Sequence, residues 1–239
     1  IYKIFKFYFF IFGLVANKRS KNNIVLSKDY FKSLKIHNVF NNKTIEIPPY
    51  IQLPKNNLKS INQNKIYKIG YLGRISPEKG LEYLIRVSNK LSHNNINHKI
   101  IIAGDDNDKR FIKYIKYLKK ISNEKIQFIG LINKMQKENF YLNIDTFVLP
   151  SINSFEAFGI VQLEAMSYGI PVIAANIFGV RSVITKTKNG YLFQKENSND
   201  LYNKIILAKD SNFNKNTIRE NVYRIYNKND FDNKIKKLF

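Results

Sequence analysis

Six short runs rich in β-branched and aromatic residues recur along this chain, each apolar on both of its faces. They are IYKIGYL (66–72), HKIIIAG (98–104), KIQFIG (125–130), DTFVLPS (145–151), IPVIAA (170–175) and NGYLF (189–193), and longer stretches of helical periodicity separate them. A strand with two apolar faces must be covered on both sides. Strands that alternate with helices therefore predict an α/β fold, a parallel sheet with helices on both faces.

Local signals sharpen the pattern. Ser76-Pro77-Glu78 predicts a helix start, with Ser as N-cap, Pro at the first helical position and Glu at the positive end of the dipole. Leu81, Leu84, Ile85, Ser88 and Leu91 would be its inward stripe. FIKYIKYLKKI (111–121) predicts a helix with Phe111, Ile115 and Leu118 on one face and Lys113, Lys116 and Lys120 on another. Before residue 65, NNIVLS (22–27) and KTIEI (43–47) read as strands flanking a helix at 29–36, and the polar, Asn-rich stretch that follows reads as a linker. The expected organisation is a partial N-terminal α/β segment (1–50), a linker (51–64), a main α/β domain (65–210) and C-terminal helices (211–239).

The composition excludes several classes. With no Cys, a disulfide scaffold and a Cys-ligated metal are ruled out. Three His without HExxH spacing give no metal centre, and His37, His93 and His98, in polar stretches, suggest nothing catalytic. Lys and Arg number 40 against 18 Asp and Glu, a net charge of +22. That excess fits an anionic membrane surface or a phosphorylated ligand. Nucleic acid is not expected as a partner, because there is no Arg-rich run, RNP-like strand or zinc-finger spacing. Residues 1–15 are nearly all apolar, with Lys3 and Lys6. The run is shorter than the ~20 residues of a spanning helix, and Leu14 before Ala16 makes a poor signal-peptide cleavage site. It reads as a helix packed on something outside the chain. A chain that opens on Ile1 is expected to be a processed or partial product.

Ligands of such sheets sit where strand ends feed helix N-termini. In GRISPEKG (73–80), Gly73 and Arg74 follow a strand and Lys79 falls in the next turn. There a cation opposes the helix dipole by ~0.3–1 kcal/mol unless an anion docks beside it. In SINSFEAFGIVQLEAMSYGIPVIA (151–174), Glu156 precedes a helix that begins near Phe158-Gly159-Ile160, and Glu164 lies on that helix. Eight residues put the two carboxylates ~12 Å apart, too far to share a proton. That span suits the two ends of an extended ligand with a diphosphate between them, approached through Gly159.

The stretch resembles the signature of the retaining GT-B glycosyltransferases (glycosyl transferases group 1, Glu-x7-Glu type). The resemblance rests on Pro150, Ser151, Glu156, Phe158-Gly159, Glu164-Ala165-Met166, Gly169 and Pro171-Val172, with Gly73-Arg74 and Lys79-Gly80 upstream. It covers residues 17–210 and implies that the main domain is a Rossmann-like donor domain. In that family Arg74 and Lys79 would hold the diphosphate of a nucleotide-sugar donor, Glu156 would face the sugar beside the backbone of Phe158, Gly159 and Ile160, and Glu164 would take the ribose hydroxyls. Gly73 would be a further donor-binding residue, and Ile132 is a weaker candidate for contact with the base. No metal or other cofactor is expected. The implied acceptor is a saccharide or a lipid-linked sugar, and the implied location is the cytoplasm or the cytoplasmic face of a membrane.

The chain departs from the family pattern in two ways. Where the family has GG..E after the PVIA strand, this chain has Phe178-Gly179-Val180-Arg181-Ser182, so the first Gly and the Glu are missing. Residues 1–50 resemble only the end of the family's N-terminal acceptor domain. The acidic run Asp105-Asp106-Asn107-Asp108 looks like a DxD metal element, but its place before the helix at 109–121 predicts a capping role.

Overall fold

The computed structural model describes residues 19–34, 43–54, 66–153 and 155–238, together with Gly13, Val15 and Ala16. Most of the apolar 1–15 run, the end of the helix expected at 29–36, His37, and residues 55–65 of the expected linker lie outside the described residues.

All six main strands form as expected: β3 (Tyr67–Leu72), β4 (His98–Ala103), β5 (Ile126–Phe128), β6 (Thr146–Leu149), β7 (Val172–Ala175) and β8 (Gly190–Phe193). They make one parallel sheet in the order β5-β4-β3-β6-β7-β8. The chain starts in the middle at β3, builds outward through β4 to β5, then returns to the other side of β3 with β6. The strand order therefore reverses between β3 and β6, where the loops leaving the two strand ends diverge and open a crevice. A separate two-stranded parallel sheet pairs β1 (Asn23–Val25) with β2 (Thr44–Glu46), bracketing α1 (Lys28–Lys32).

The expected stripe on α2 (Leu81–His93) is buried in full, and Val87 joins it. Complete burial of such branched side chains contributes ~1.5–3 kcal/mol each. On α3 (Ile112–Ile121), Ile115 and Leu118 face the core, while Lys113, Lys116 and Lys120 face solvent. The sheet is further covered by α4 (Lys134–Leu142), α5 (Ile160–Ser167), α6 (Val180–Thr187) and α7 (Ser198–Asp210). Beyond these, α8 (Lys215–Tyr226) packs on α5 and α6, and α9 (Lys228–Lys236) follows.

Local readings change in four places. Pro77–Lys79 is a single 3₁₀ turn, closed by Gly80 in the left-handed region, and α2 starts at Leu81 with Gly80 as its cap. The Ser76 hydroxyl therefore caps no backbone and donates instead to Glu78 Oε1 at 2.6 Å. The acidic run does not cap α3, whose N-cap is Phe111. Its carboxylates close local turns instead, and they pair with cations, Asp108 with Arg110 and Asp106 with Lys119, each at 2.7 Å. His98 is a core residue that bridges Ser88 Oγ and the Ile96 carbonyl, each at 2.8 Å, and burial pushes its pKa down. Finally, the first residues of the expected linker run against α8. The Ile51 N–H donates to Tyr226 O (2.7 Å) and Arg219 donates to Pro54 O (3.1 Å).

Candidate functional site: the crevice between β3 and β6

The loop leaving β3 is held from beneath. Tyr71 is fully buried and donates its hydroxyl to Arg74 O at 2.7 Å, while the Gly73 N–H continues the ladder to Ala103 O at 3.0 Å. Burial, reinforced by the nearby charges of Glu156 and Glu78, pushes the Tyr71 pKa well above its ordinary value, so the phenol stays a donor. Glu78 O accepts the Ile152 N–H at 3.0 Å, which ties the β3 loop to the β6 loop. Across that tie, Lys79 Nζ meets Glu156 Oε2 at 2.5 Å, with the two side chains only 15% and 17% exposed. The Arg74 guanidinium is about half exposed and lies 3.9 Å from Glu78.

The loop leaving β6 ends at Gly159, whose φ of 76° suits the residue that has no Cβ. It is the N-cap of α5, so the Ile160 and Val161 amides at the start of that helix border the crevice, while the Gln162 N–H returns to Gly159 O at 2.9 Å. Two side chains fix this cap from behind. Gln162 Nε2 donates to Phe158 O (2.9 Å) and Val180 O (3.2 Å), and the Phe158 ring is buried edge-on against Tyr226 with centroids 6.0 Å apart. Phe158 can thus present only its backbone to the crevice.

The crevice itself is a cavity of about 360 Å³, lined by Gly73, Lys79, Glu156, Phe158, Gly159 and Ile160 together with residues that were not anticipated. That volume is within the range of small-molecule sites. Glu164 does not line it. Lys137 Nζ holds Glu164 Oε1 at 2.7 Å and the Tyr141 hydroxyl donates to Oε2 at 3.0 Å, beside a second cavity of about 490 Å³ between α4 and α5. The two glutamates therefore belong to different cavities and cannot share a proton. Ile132, on the loop after β5, packs against the core and lies outside both cavities.

Leu26 and Tyr71 also line the crevice, and sequence reasoning missed them. Tyr71 closes an apolar strand, where its side chain reads as core. For Leu26 there was no signal, since it reaches the crevice from a segment more than a hundred residues from Glu156. Among the described residues, no group of three or more His, Asp or Glu could hold a metal ion, and no helix is long and apolar enough to cross a membrane.

Residues 55–225 match the family model described as glycosyl transferases group 1. The chain belongs to this family. An uncharacterised glycosyltransferase of Methanocaldococcus jannaschii, MJ1607, is 32% identical over 131 residues, 55% of this chain and 33% of that protein. The glycogen synthase of Mycoplasma mobile is 30% identical over 166 residues, 65% of this chain and 33% of the relative. The matched region thus spans about a third of the length of these relatives. Among solved structures, a glycosyltransferase from Rickettsia africae superposes with a TM-score of 0.77 at 20% identity, covering 91% of this chain and 62% of the other. Anabaena Alr3699/HepE, solved in complex with UDP and glucose, superposes with a TM-score of 0.77 at 19% identity, covering 93% and 63%. The glycosyl transferases group 1 chain accordingly has the GT-B Rossmann-like fold that its strand order describes.

Proposed function

We propose that this chain carries the donor half of a retaining glycosyltransferase, which moves a sugar from a nucleoside-diphosphate sugar to a saccharide or lipid-linked acceptor in glycan biosynthesis. The observation that carries this reading is the Lys79–Glu156 pair, held at the mouth of the crevice directly before the N-terminus of α5. A cation, a carboxylate and a set of unpaired amides in one cavity match a sugar diphosphate group by group. The diphosphate takes the amides and Lys79, with Arg74 swinging in from the rim, and Glu156 exchanges part of its ion pair for sugar hydroxyls. As the bond from the anomeric carbon to the diphosphate oxygen breaks, negative charge grows on that oxygen. Lys79 and the α5 amides are pre-placed to receive it, Arg74 joins them once it has swung in, and such electrostatic stabilisation is commonly the largest catalytic term. Glu164, held by Lys137 and Tyr141 in the neighbouring cavity, would take the ribose where the nucleoside leaves the crevice, while Ile132, packed against the core, contributes no lining to either cavity. This charge work needs no metal ion.

Titration calorimetry with UDP and GDP, in the presence and absence of EDTA, tests the reading. Binding of one diphosphate that survives EDTA and weakens by about tenfold or more in Lys79→Ala is expected, the worth of one charge-assisted hydrogen bond. Binding abolished by EDTA would return the role to a metal and to the acidic run at 105–108.

In this reading residues 65–239 form the donor-binding half of the cleft, and the matched region spans about a third of the length of these relatives. The acceptor wall of the cleft would come from outside residues 65–239, with residues 1–50 as the end of an acceptor domain.

A further inference from the structure

Of the two positions where this chain departs from the GG..E pattern, Ser182 touches the N-terminal segment directly and Phe178 stacks under Arg181, the residue that does so by an ion pair. Ser182 Oγ is 3.3 Å from Ser27 Oγ, and both residues are buried. Phe178 lies under the Arg181 guanidinium, 4.1 Å from the ring centroid. Arg181 in turn grips Asp29 through two nitrogens, Nη2 to Oδ1 at 2.8 Å and Nε to Oδ2 at 3.0 Å. The same carboxylate accepts the Gly179 N–H at 2.8 Å, at the start of α6. Gly179 fits there because a Cβ would lie 1.9 Å from Ala157 O and 2.9 Å from Tyr30 Cβ. Three segments thus meet at one point: α1, the start of α6, and the β6 loop that carries Glu156. Three residues before Asp29, Leu26 extends into the crevice that Gly73, Lys79 and Glu156 line.

We propose that Leu26 forms the sugar-side wall of the donor cleft, and that Asp29 and Arg181 are positioning residues that clamp it there. The inference rests on the donor-site reading above. A branched apolar side chain beside Glu156 gives a sugar ring a face to pack on and keeps water from the bond that breaks. The clamp is specific in geometry, because a planar guanidinium matches a carboxylate at two points and an ammonium does not.

Calorimetry on the full 239-residue chain separates the roles. The probes are UDP with UDP-glucose and GDP with GDP-mannose, using whichever pair the unaltered chain binds. Leu26→Ala, Asp29→Ala and Arg181→Ala should each weaken the sugar nucleotide about fivefold, the scale of a few apolar groups uncovered. The free nucleoside diphosphate should bind as before. Combining all three should cost no more than Leu26→Ala alone, and Arg181→Lys should fall between the unaltered chain and Arg181→Ala. Unchanged sugar-nucleotide affinity in Leu26→Ala overturns the wall, and equal losses for diphosphate and sugar nucleotide overturn the clamp as a sugar-side device. Binding of no nucleotide by the unaltered chain is a different failure. It would sink the donor-site reading itself, and this inference with it.

Discussion

Glu164 and Asp106 are both acidic, both paired with a lysine at 2.7 Å, and differ in where the carboxylate sits. Glu164 also receives the hydroxyl of buried Tyr141, so its carboxylate is held in one orientation at the second cavity. Glu164→Ala and Tyr141→Phe are expected to weaken nucleotide binding, with the direct loss worth ~1.5–3 kcal/mol and the indirect one less. Asp106→Ala should leave calorimetric affinity unchanged. Asp29 supports a pH prediction. Burial alone would raise its pKa, but the hydrogen bonds from Arg181 and Gly179 outweigh burial and hold it below the ordinary carboxylate value. Stability from a carboxylate with a depressed pKa is fully present above that ordinary value and is lost as pH falls through the folded one. The clamp should therefore stay closed at neutral pH and loosen only in acid. In Arg181→Ala, burial is left with one opponent fewer, and the Asp29 titration followed by carbon NMR should move upward. At this scale the sequence was legible for residue type and silent on partners. Lys79 and Glu156 are recognisable at the ends of two motifs, but that they touch follows only from the adjacency of β3 and β6. Tyr141 reads as core because its ring is buried, and that its hydroxyl joins Lys137 on Glu164 follows only from how α4 packs on α5.

Strands were the most legible elements, because a buried parallel strand leaves an uninterrupted apolar run in the sequence. Helix starts were less so. Ser-Pro-Glu at 76–78 carries every local signal of a helix N-terminus, yet Gly80 in the left-handed region interrupts the turn and restarts the helix one residue later. The acidic run misled in the same way, since its short side chains close turns as readily as they cap helices. The cap of α5 yields a sharper test. Ala at position 159 would need a left-handed backbone and would bring its Cβ to 2.6 Å from Leu149 Cδ2. Gly159→Ala should destabilise the chain by ~1–3 kcal/mol in denaturant melts. If the α5 amides hold the diphosphate as proposed, it should also weaken diphosphate binding by more than its effect on stability would suggest.

At the scale of the whole molecule, the reversal of strand order at β3/β6 converts two distant motifs into one cavity. Sequence alone gives the alternation of strands and helices without the order in which strands lie, so the pattern placed ligands at strand ends but could not say that the β3 and β6 loops share one crevice. The Leu26–Asp29–Arg181 assembly was illegible for the same reason, since 152 residues separate the clamp's partners. The exposed lysines on α3 belong at this scale too. The proposed acceptor is a saccharide or a lipid-linked sugar, and Lys113, Lys116 and Lys120 share one solvent face. Salt-sensitive sedimentation with anionic vesicles is expected, each near-surface cation contributing ~1 kcal/mol. Equal sedimentation with neutral vesicles would show that the face is merely solvated.

The edge-on contact of Phe158 with Tyr226 gives α8 a hold on the loop that carries Glu156 and Gly159. Tyr226 also accepts the Ile51 amide on its carbonyl, so one residue of α8 braces both the cap of α5 and the segment that enters the main domain. No residue of α8 or α9 lines the crevice. A stop codon or protease cut near residue 213 would nonetheless score in any assay as an active-site lesion. Screens that map loss of function onto this sequence should find a cluster of hits far downstream of every motif, and those hits would report a missing buttress instead of missing chemistry.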